Sequence, residues 1–334
     1  MGDAIMKARR FGSTGREVSP IGFGTWAIGA DWGSVDERDA LAALNEALDR
    51  GVNFVDTADV YGDGRAEKLV AQVLKSRAGK QAPMVATKAG RRLNPHIADG
   101  YNRTNLTAFV ERSLKYLDVE SLDLVQLHCP PTEVYYRPET FEALAGLVEE
   151  GKIRHWGVSV EKVEEGVKAL EFPGLASVQI IYNIFRQRPA EQFFDMAKRR
   201  DVAIIVRVPL ASGMLSGKFR RDSQFAANDH RNYNRHGEAF DVGETFAGVP
   251  FEEGLAAVEE IRALTPPGVT MAQFALRWIL MQDAVSVVIP GAKSAQQAKE
   301  NVAAAALPPI PAEAMQKIAA IYASRIKPFV HQRW

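Results

Sequence analysis

The sequence contains one cysteine, Cys129, in 334 residues, so neither an intrachain disulfide nor a multi-cysteine metal site can form. That usage fits a reducing cytoplasm. Charge of one sign is also missing: 41 basic and 41 acidic residues cancel. This removes the broad positive field of a nucleic-acid binder and the steering toward anionic membranes. No apolar run is long enough to span a bilayer, and the first ten residues lack an apolar signal core. The sequence has no GxGxxG, the turn that opens most doubly wound dinucleotide-binding sheets. The expectation is a cytoplasmic chain without nucleic-acid, membrane or metal partners.

What is present is ordinary globular material, 46% hydrophobic and 25% charged, enough to bury a sizeable core. From Val52 onward, short apolar runs alternate with amphipathic stretches of helical period, which predicts parallel βα units. The runs cover 52–56, 84–88, 122–127, 154–158, 177–181, 203–208 and 285–289, with an earlier one near 21–25. A helix is predicted over 138–150, where Pro138 suits the first turn, Phe141, Leu144, Leu147 and Val148 share a face, and Gly151 ends it. Eight units without a composition break predict one (β/α)8 TIM barrel over residues 1–334. Before it, 8–11 and 17–20 flank Ser13-Thr14-Gly15 as an N-terminal β-hairpin capping the barrel bottom. After strand 7 the pattern fails over 219–250, a long polar stretch read as a lid loop. A C-terminal extra helix is expected over 311–323, followed by a tail with Phe329, His331 and Trp334.

In such a barrel the active site sits at the C-terminal strand ends, so the polar residue closing each run is the one to examine. Asp56, with Tyr61 just beyond it, Lys88, His128, Ser159, Gln179, Arg207 and the 290–293 turn make up that set. The chemistry they point to is proton transfer to a carbonyl oxygen. A phenol titrates near 10 in water, and an adjacent ammonium lowers it; Lys88 is expected to act so on Tyr61. Asp56 would hold Lys88, and a neutral His128 would orient the carbonyl. Hydride must come from a cofactor, since no side chain supplies it. Taken singly, each residue has an ordinary structural reading: Asp56 as an Asx turn, Tyr61 as a loop aromatic, Lys88 as a solvated strand end, His128 as a buried imidazole. Their convergence at one opening reverses that judgement.

These residues lie in longer motifs: Gly22-Phe23-Gly24-Thr25-Trp26, Asn53-Phe54-Val55-Asp56-Thr57-Ala58-Asp59-Val60-Tyr61-Gly62, Ala86-Thr87-Lys88, Asp123-Leu124-Val125-Gln126-Leu127-His128, and Gly151-Lys152-Ile153-Arg154 leading to Gly157-Val158-Ser159. Together they resemble the aldo-keto reductase superfamily, in a bacterial branch whose cofactor motif is similar to that of potassium-channel β subunits. The resemblance implies a catalytic tetrad on Asp56, Tyr61, Lys88 and His128. It also implies NADP(H) lying across the barrel mouth. Gly24, Thr25, Trp26 and Asp56 are among its contacts, with Ser159 and Gln179 at the carboxamide and Arg207 on the ring, where an aromatic is commoner. Pro209, Leu210, Ser212 and Lys218 match the belt over the pyrophosphate, and Gly291, Lys293, Gln297, Glu300 and Asn301 the adenosine end. Val160 stands where the family usually has Asn, and Gln297 where many NADP-preferring relatives have Arg. Trp26, Trp32, Tyr61, Tyr101 and His128 are the substrate-pocket candidates, for a small-molecule carbonyl. The expected function is NADP-dependent reduction of an aldehyde or ketone, or the reverse. The alternative is a cofactor-binding, redox-sensing regulatory subunit without turnover.

Overall fold

The computed structural model describes residues 6–29 and 35–334. Eight parallel strands follow one another around a barrel: β1 (Phe23–Gly24), β2 (Phe54–Asp56), β3 (Met84–Ala89), β4 (Leu122–His128), β5 (Ile153–Ser159), β6 (Leu175–Ile181), β7 (Ala203–Arg207) and β8 (Val285–Val288). Each strand pairs with its sequence neighbour. Ile21 opposite Val288 and Gly24 opposite Gly291 close the ring between β8 and β1. The closure demands glycine at 24, because a Cβ there would lie 2.6 Å from the Ile289 carbonyl oxygen.

The strand runs read as continuously apolar because both faces are covered. Alternation still decides which way each side chain points. Phe54, Met84, Ala86, Leu124, Ala176, Ala203, Ile205, Val287 and Ile289 fill the barrel interior. Val55, Val85, Val125, Val158, Val178, Ile204, Val206 and Val288 pack outward with the helices. The same period places Asp56, Lys88, Gln126, His128 and Arg207 inward; in β6 the register against β5 slips between Leu175 and Ser177, and beyond the slip Gln179 joins them, bonded to Asp56 and Gln126.

The hairpin forms as expected, Arg9–Arg10 against Glu17–Val18. It plugs the bottom with Phe11, whose ring meets Phe54 at 5.2 Å. The predicted 138–150 helix spans Pro138–Glu149. The extra helix spans Ala312–Ile321 and continues through a π turn, Tyr322–Ile326, into Lys327–Val330. No helix among the described residues is long and apolar enough to cross a membrane.

The 219–250 segment differs from the polar loop its composition implies. Phe219, Phe225, Phe246 and the neighbouring Phe251 form an aromatic cluster of their own, with Arg231 over Phe225 and Arg235 over Phe251. Asn234 knots the middle by accepting from the Ala239 and Phe240 amides and donating to Thr245. Trp334 then seals it from outside. Its indole N–H donates to Asp241 Oδ1 at 2.9 Å, Arg186 covers its ring at 4.0 Å, and the ring lies flush on Gly243 and Gly248, where a Cβ would come within 2.9 and 2.5 Å of it.

This packing generates a prediction. Trp334→Ala removes the seal and, on the barrel side among the described residues, only the contact with Arg186, so limited proteolysis within 219–250 is expected to speed up several-fold while the thermal midpoint falls by less than a core truncation would cost. Unchanged cleavage would show that Trp334 does not hold the lid.

Candidate active site

The inward-pointing strand ends meet at the mouth. Lys88, 1% exposed, donates from Nζ to Asp56 Oδ1 at 2.5 Å, to the Thr57 carbonyl at 2.9 Å and to the Tyr61 hydroxyl at 3.1 Å. Asp56 Oδ2 accepts from Gln179 at 2.7 Å and from Gln126 at 3.3 Å, so the carboxylate is held from two further strands. Tyr61 reaches the group from the loop after β2, and His128 meets the edge of its ring at 5.8 Å.

Electrostatics fix the protonation states. Burial, then Lys88, Arg91 and Arg207, push the His128 imidazole well below its usual value, so it is neutral. Burial also pushes Tyr61 well above its usual value, helped by Asp56 and Glu244 and opposed by Arg207. Here the sequence expectation is corrected. An adjacent ammonium was to draw the phenol down, but Asp56 sits closer to Lys88 than Tyr61 does and offsets its field, leaving burial in command. Tyr61 keeps its proton.

The other expected site residues are placed as follows. Trp26 stacks toward Tyr61 at 6.2 Å, under His230 at 4.8 Å and Phe240 at 6.0 Å from the lid. Tyr101 lies behind the mouth, buried against Gly90 with its hydroxyl 2.7 Å from His96 Nε2. Trp32 falls outside the described residues. Gly24 and Gly291 pair at the closure, and the buried Thr25 hydroxyl has no protein partner. Ser159 is buried with Oγ 3.5 Å from Cys129 Sγ. Gln179 spends its amide on Asp56 and Gln126. Arg207 is engaged by Glu161 and Glu244. Pro209 is buried, Leu210 caps the following turn, and Lys218 is exposed at the start of the lid. Ser212 Oγ donates to the Glu244 carbonyl at 2.8 Å and accepts from the Phe246 amide, so it ties the lid down.

At the far end, Ser294 caps the helix Ala295–Ala303 and Asn301 ties it to the Gly291 carbonyl. Gln297 accepts from the Lys293 amide, and Glu300 from Gln296. Lys293 is half-buried. Burial and Arg231 lower its ammonium, and Asp229, which holds Arg231 in an ion pair at 2.6 Å, opposes them.

Sequence reasoning missed Arg91, Glu161 and Glu244, and also a second buried acid group. Asp59 is fully buried with both carboxyl oxygens unpartnered, and Glu67 beside it accepts from Thr87. Glu161, two positions past Ser159, and Arg91, three past Lys88, were within reach of a strand-end search extended into the loops. Glu244 was not, since nothing in a lid sequence says which residue will face inward.

Residues 20–323 match the model of the Aldo/keto reductase family. The chain belongs to the aldo/keto reductase family. It is 32% identical over 296 residues to Aldo-keto reductase YhdN of Bacillus subtilis, covering 87% of this chain and 86% of that one. It is 28% identical to Aldo-keto reductase yakc [NADP(+)] of Schizosaccharomyces pombe, over 86% of this chain and 84% of that one. Among solved structures it is similar to the glycerol dehydrogenase AKR11B4 from Gluconobacter oxydans, with a TM-score of 0.77 and 28% identity over 98% of this chain and 97% of that one. Membership makes the chain an oxidoreductase.

Asp59 gives a stability test. Burial, then Glu67, raise its carboxyl to about 7, against Arg92 and Arg112. An acid raised on folding stabilises at low pH, and that contribution is lost as pH rises through the carboxylate range to its folded value. Asp59→Asn is therefore expected to raise the thermal midpoint most at about pH 8 and least near pH 4. A gain independent of pH would contradict a buried, titrating Asp59.

Proposed function

We propose that this protein is an NADP(H)-dependent carbonyl reductase, interconverting a neutral or modestly polar aldehyde or ketone with its alcohol, with Tyr61 as the proton donor. The observation that supports this most is a single ammonium, Lys88 Nζ, bonded at once to Asp56 and to the Tyr61 hydroxyl on the floor of the barrel mouth.

The residues present fit the cofactor. The buried Thr25 hydroxyl, His128 Nδ1 and Arg207 Nε lack protein partners at one end of the mouth, and the half-buried Lys293 beside the cap of the helix Ala295–Ala303 suits a phosphate at the other. The cap of the helix Ala295–Ala303 adds amides that favour anions. In this reading Ser159, Gln179 and Arg207 face the nicotinamide, 209–218 follows the pyrophosphate, and Lys293 reads the 2′-phosphate. When bound, the cofactor supplies the hydride that no side chain can.

The chain's own residues manage the proton. A phenol held above its usual value keeps its proton until a developing alkoxide, a stronger base, takes it. The phenolate that remains lies 3.1 Å from the Lys88 ammonium, which stabilises it. Asp56, fixed by Gln179 and Gln126, holds Lys88 in place. His128, neutral and against the Tyr61 ring, offers hydrogen bonding at the carbonyl without a competing charge. Trp26 with His230 and Phe240 from the lid covers the site and excludes water, which strengthens each of these interactions.

The experiment is NADPH oxidation against a panel of aldehydes and ketones. Wild-type protein is expected to turn over, and Tyr61→Phe to bind NADPH normally while losing roughly 100- to 10,000-fold in kcat. Wild-type kcat in Tyr61→Phe would remove the proton-donor assignment. Tight NADPH binding by wild type without turnover on any carbonyl would favour the redox-sensing subunit instead.

A further inference from the structure

Beside Asp56 the barrel interior holds two amides that neither donate nor take the transferred proton, Gln126 of β4 and Gln179 of β6, both fully buried. Gln126 lies directly opposite Lys88 in the β3–β4 register. The strand between the two amides is β5, and opposite Gln126 it presents Gly157, where a Cβ would come within 2.3 Å of Ser177 Oγ on β6. With no side chain at that point, the amides meet across β5. Gln179 Nε2 donates to Gln126 Oε1 at 3.2 Å and to Asp56 Oδ2 at 2.7 Å, and Gln126 Nε2 donates to the same Asp56 oxygen at 3.3 Å.

These three bonds close a ring, and the ring decides which way each amide lies. An amide nitrogen carries two hydrogens and its oxygen none. Turning Gln179 over would set its oxygen against the Asp56 carboxylate and against Gln126 Oε1, two repulsions in place of two bonds. Turning Gln126 over would set its oxygen toward Asp56 and its NH2 toward the NH2 of Gln179. Both hydrogens of the Gln179 amide are therefore committed. What that amide has left is an acceptor, Oε1, which takes no hydrogen bond among the described residues.

We propose that Gln126 is a positioning residue for the reaction: it holds the Gln179 amide with its NH2 on Asp56 and only its oxygen to offer, so that Gln179 reads the NH2 of the nicotinamide carboxamide. This rests on the reading of Gln179 as a carboxamide contact. Gln126 acts through Gln179 and not on the ring itself. Without it, one amide hydrogen of Gln179 loses its partner, and the amide is restrained by the single bond to Asp56, about which it can pivot and lose its facing. The anchor is the same carboxylate that holds Lys88 against the Tyr61 hydroxyl. Cofactor ring and proton donor are thereby set from one point, through hydrogen bonds that polarise one another in a dry interior.

The test is equilibrium binding of the full chain to NADP+ and to its 3-acetylpyridine analogue, followed by tryptophan fluorescence quenching. The analogue keeps the charged ring and every phosphate but carries a methyl ketone in place of the carboxamide, so the ratio of the two dissociation constants isolates the NH2. Wild type is expected to favour NADP+ by roughly three- to tenfold, the worth of one hydrogen bond. Gln179→Met should bring the ratio to about one, and Gln126→Met should bring it to within about twofold of one. A packing role for Gln126 would lower stability and leave the ratio at its wild-type value. Gln126→Asn keeps an amide but falls one methylene short of both partners, and it carries the same expectation should Gln126→Met not fold. An undiminished ratio in a folded Gln126 variant overturns the proposal and leaves Gln179 as the carboxamide contact. Equal binding of the two nucleotides by wild type, or a full ratio in Gln179→Met, overturns it by removing Gln179 from the carboxamide. A wild type that binds neither nucleotide overturns the cofactor reading itself.

Discussion

The site depends on a buried ion pair, Lys88 with Asp56, 2.5 Å apart at the top of the barrel interior. Two charges taken out of water carry a desolvation cost that their mutual attraction does not reliably repay, so the pair is a weak source of stability. What it provides is a fixed ammonium. Gln179 and Gln126 occupy the second carboxylate oxygen, and the Thr57 carbonyl takes another ammonium proton. The remaining direction leads to the Tyr61 hydroxyl. A barrel suits this purpose because β2, β3, β4 and β6 deliver the four side chains from different directions onto a packed floor.

Enclosure gives the pair its leverage. The lid carries its own aromatic cluster, is tied at Ser212 and Asn234, and is pinned by Trp334. It lays His230 and Phe240 over Trp26, directly above Tyr61. Burial then becomes the largest influence on both Tyr61 and His128, driving each toward its neutral form. Neutral forms are what the proposed carbonyl reduction needs: a phenol with a proton to give, and an imidazole that adds no charge. The lid also supplies Glu244, so closing it completes the charge cluster around Arg207.

Much of this was legible in the sequence, for a physical reason. Strands buried on both faces read as apolar runs, and strict alternation from Phe54 and Met84 sends Asp56 and Lys88 inward, so the inner polar layer follows from the strand positions alone. The hairpin, the helix after β4 and the extra helix carried equally local signals. The sign of the Tyr61 shift was not legible, because it depends on burial and on the Asp56 separation, neither of which spacing reveals. The lid misled because its four phenylalanines, 219, 225, 240 and 246, are diluted among charged residues and share no helical or strand period. Glu161 and Glu244 lie 83 positions apart in sequence, and only the folded lid brings them together. Asp59 sits within the motif that carries Tyr61, yet nothing local shows that its carboxyl is buried without partners.

The central claim is that the Lys88 ammonium makes Tyr61 a competent proton donor. The most direct measurement is the single-turnover rate of NADPH oxidation by a carbonyl substrate in Lys88→Met, with NADPH affinity measured on the same sample as a check of the fold. The account predicts affinity within a few-fold of wild type and hydride transfer slower by at least about 100-fold, because the phenolate left by Tyr61 would lack its counter-charge. Hydride transfer at the wild-type rate in a Lys88→Met protein that binds NADPH would contradict it.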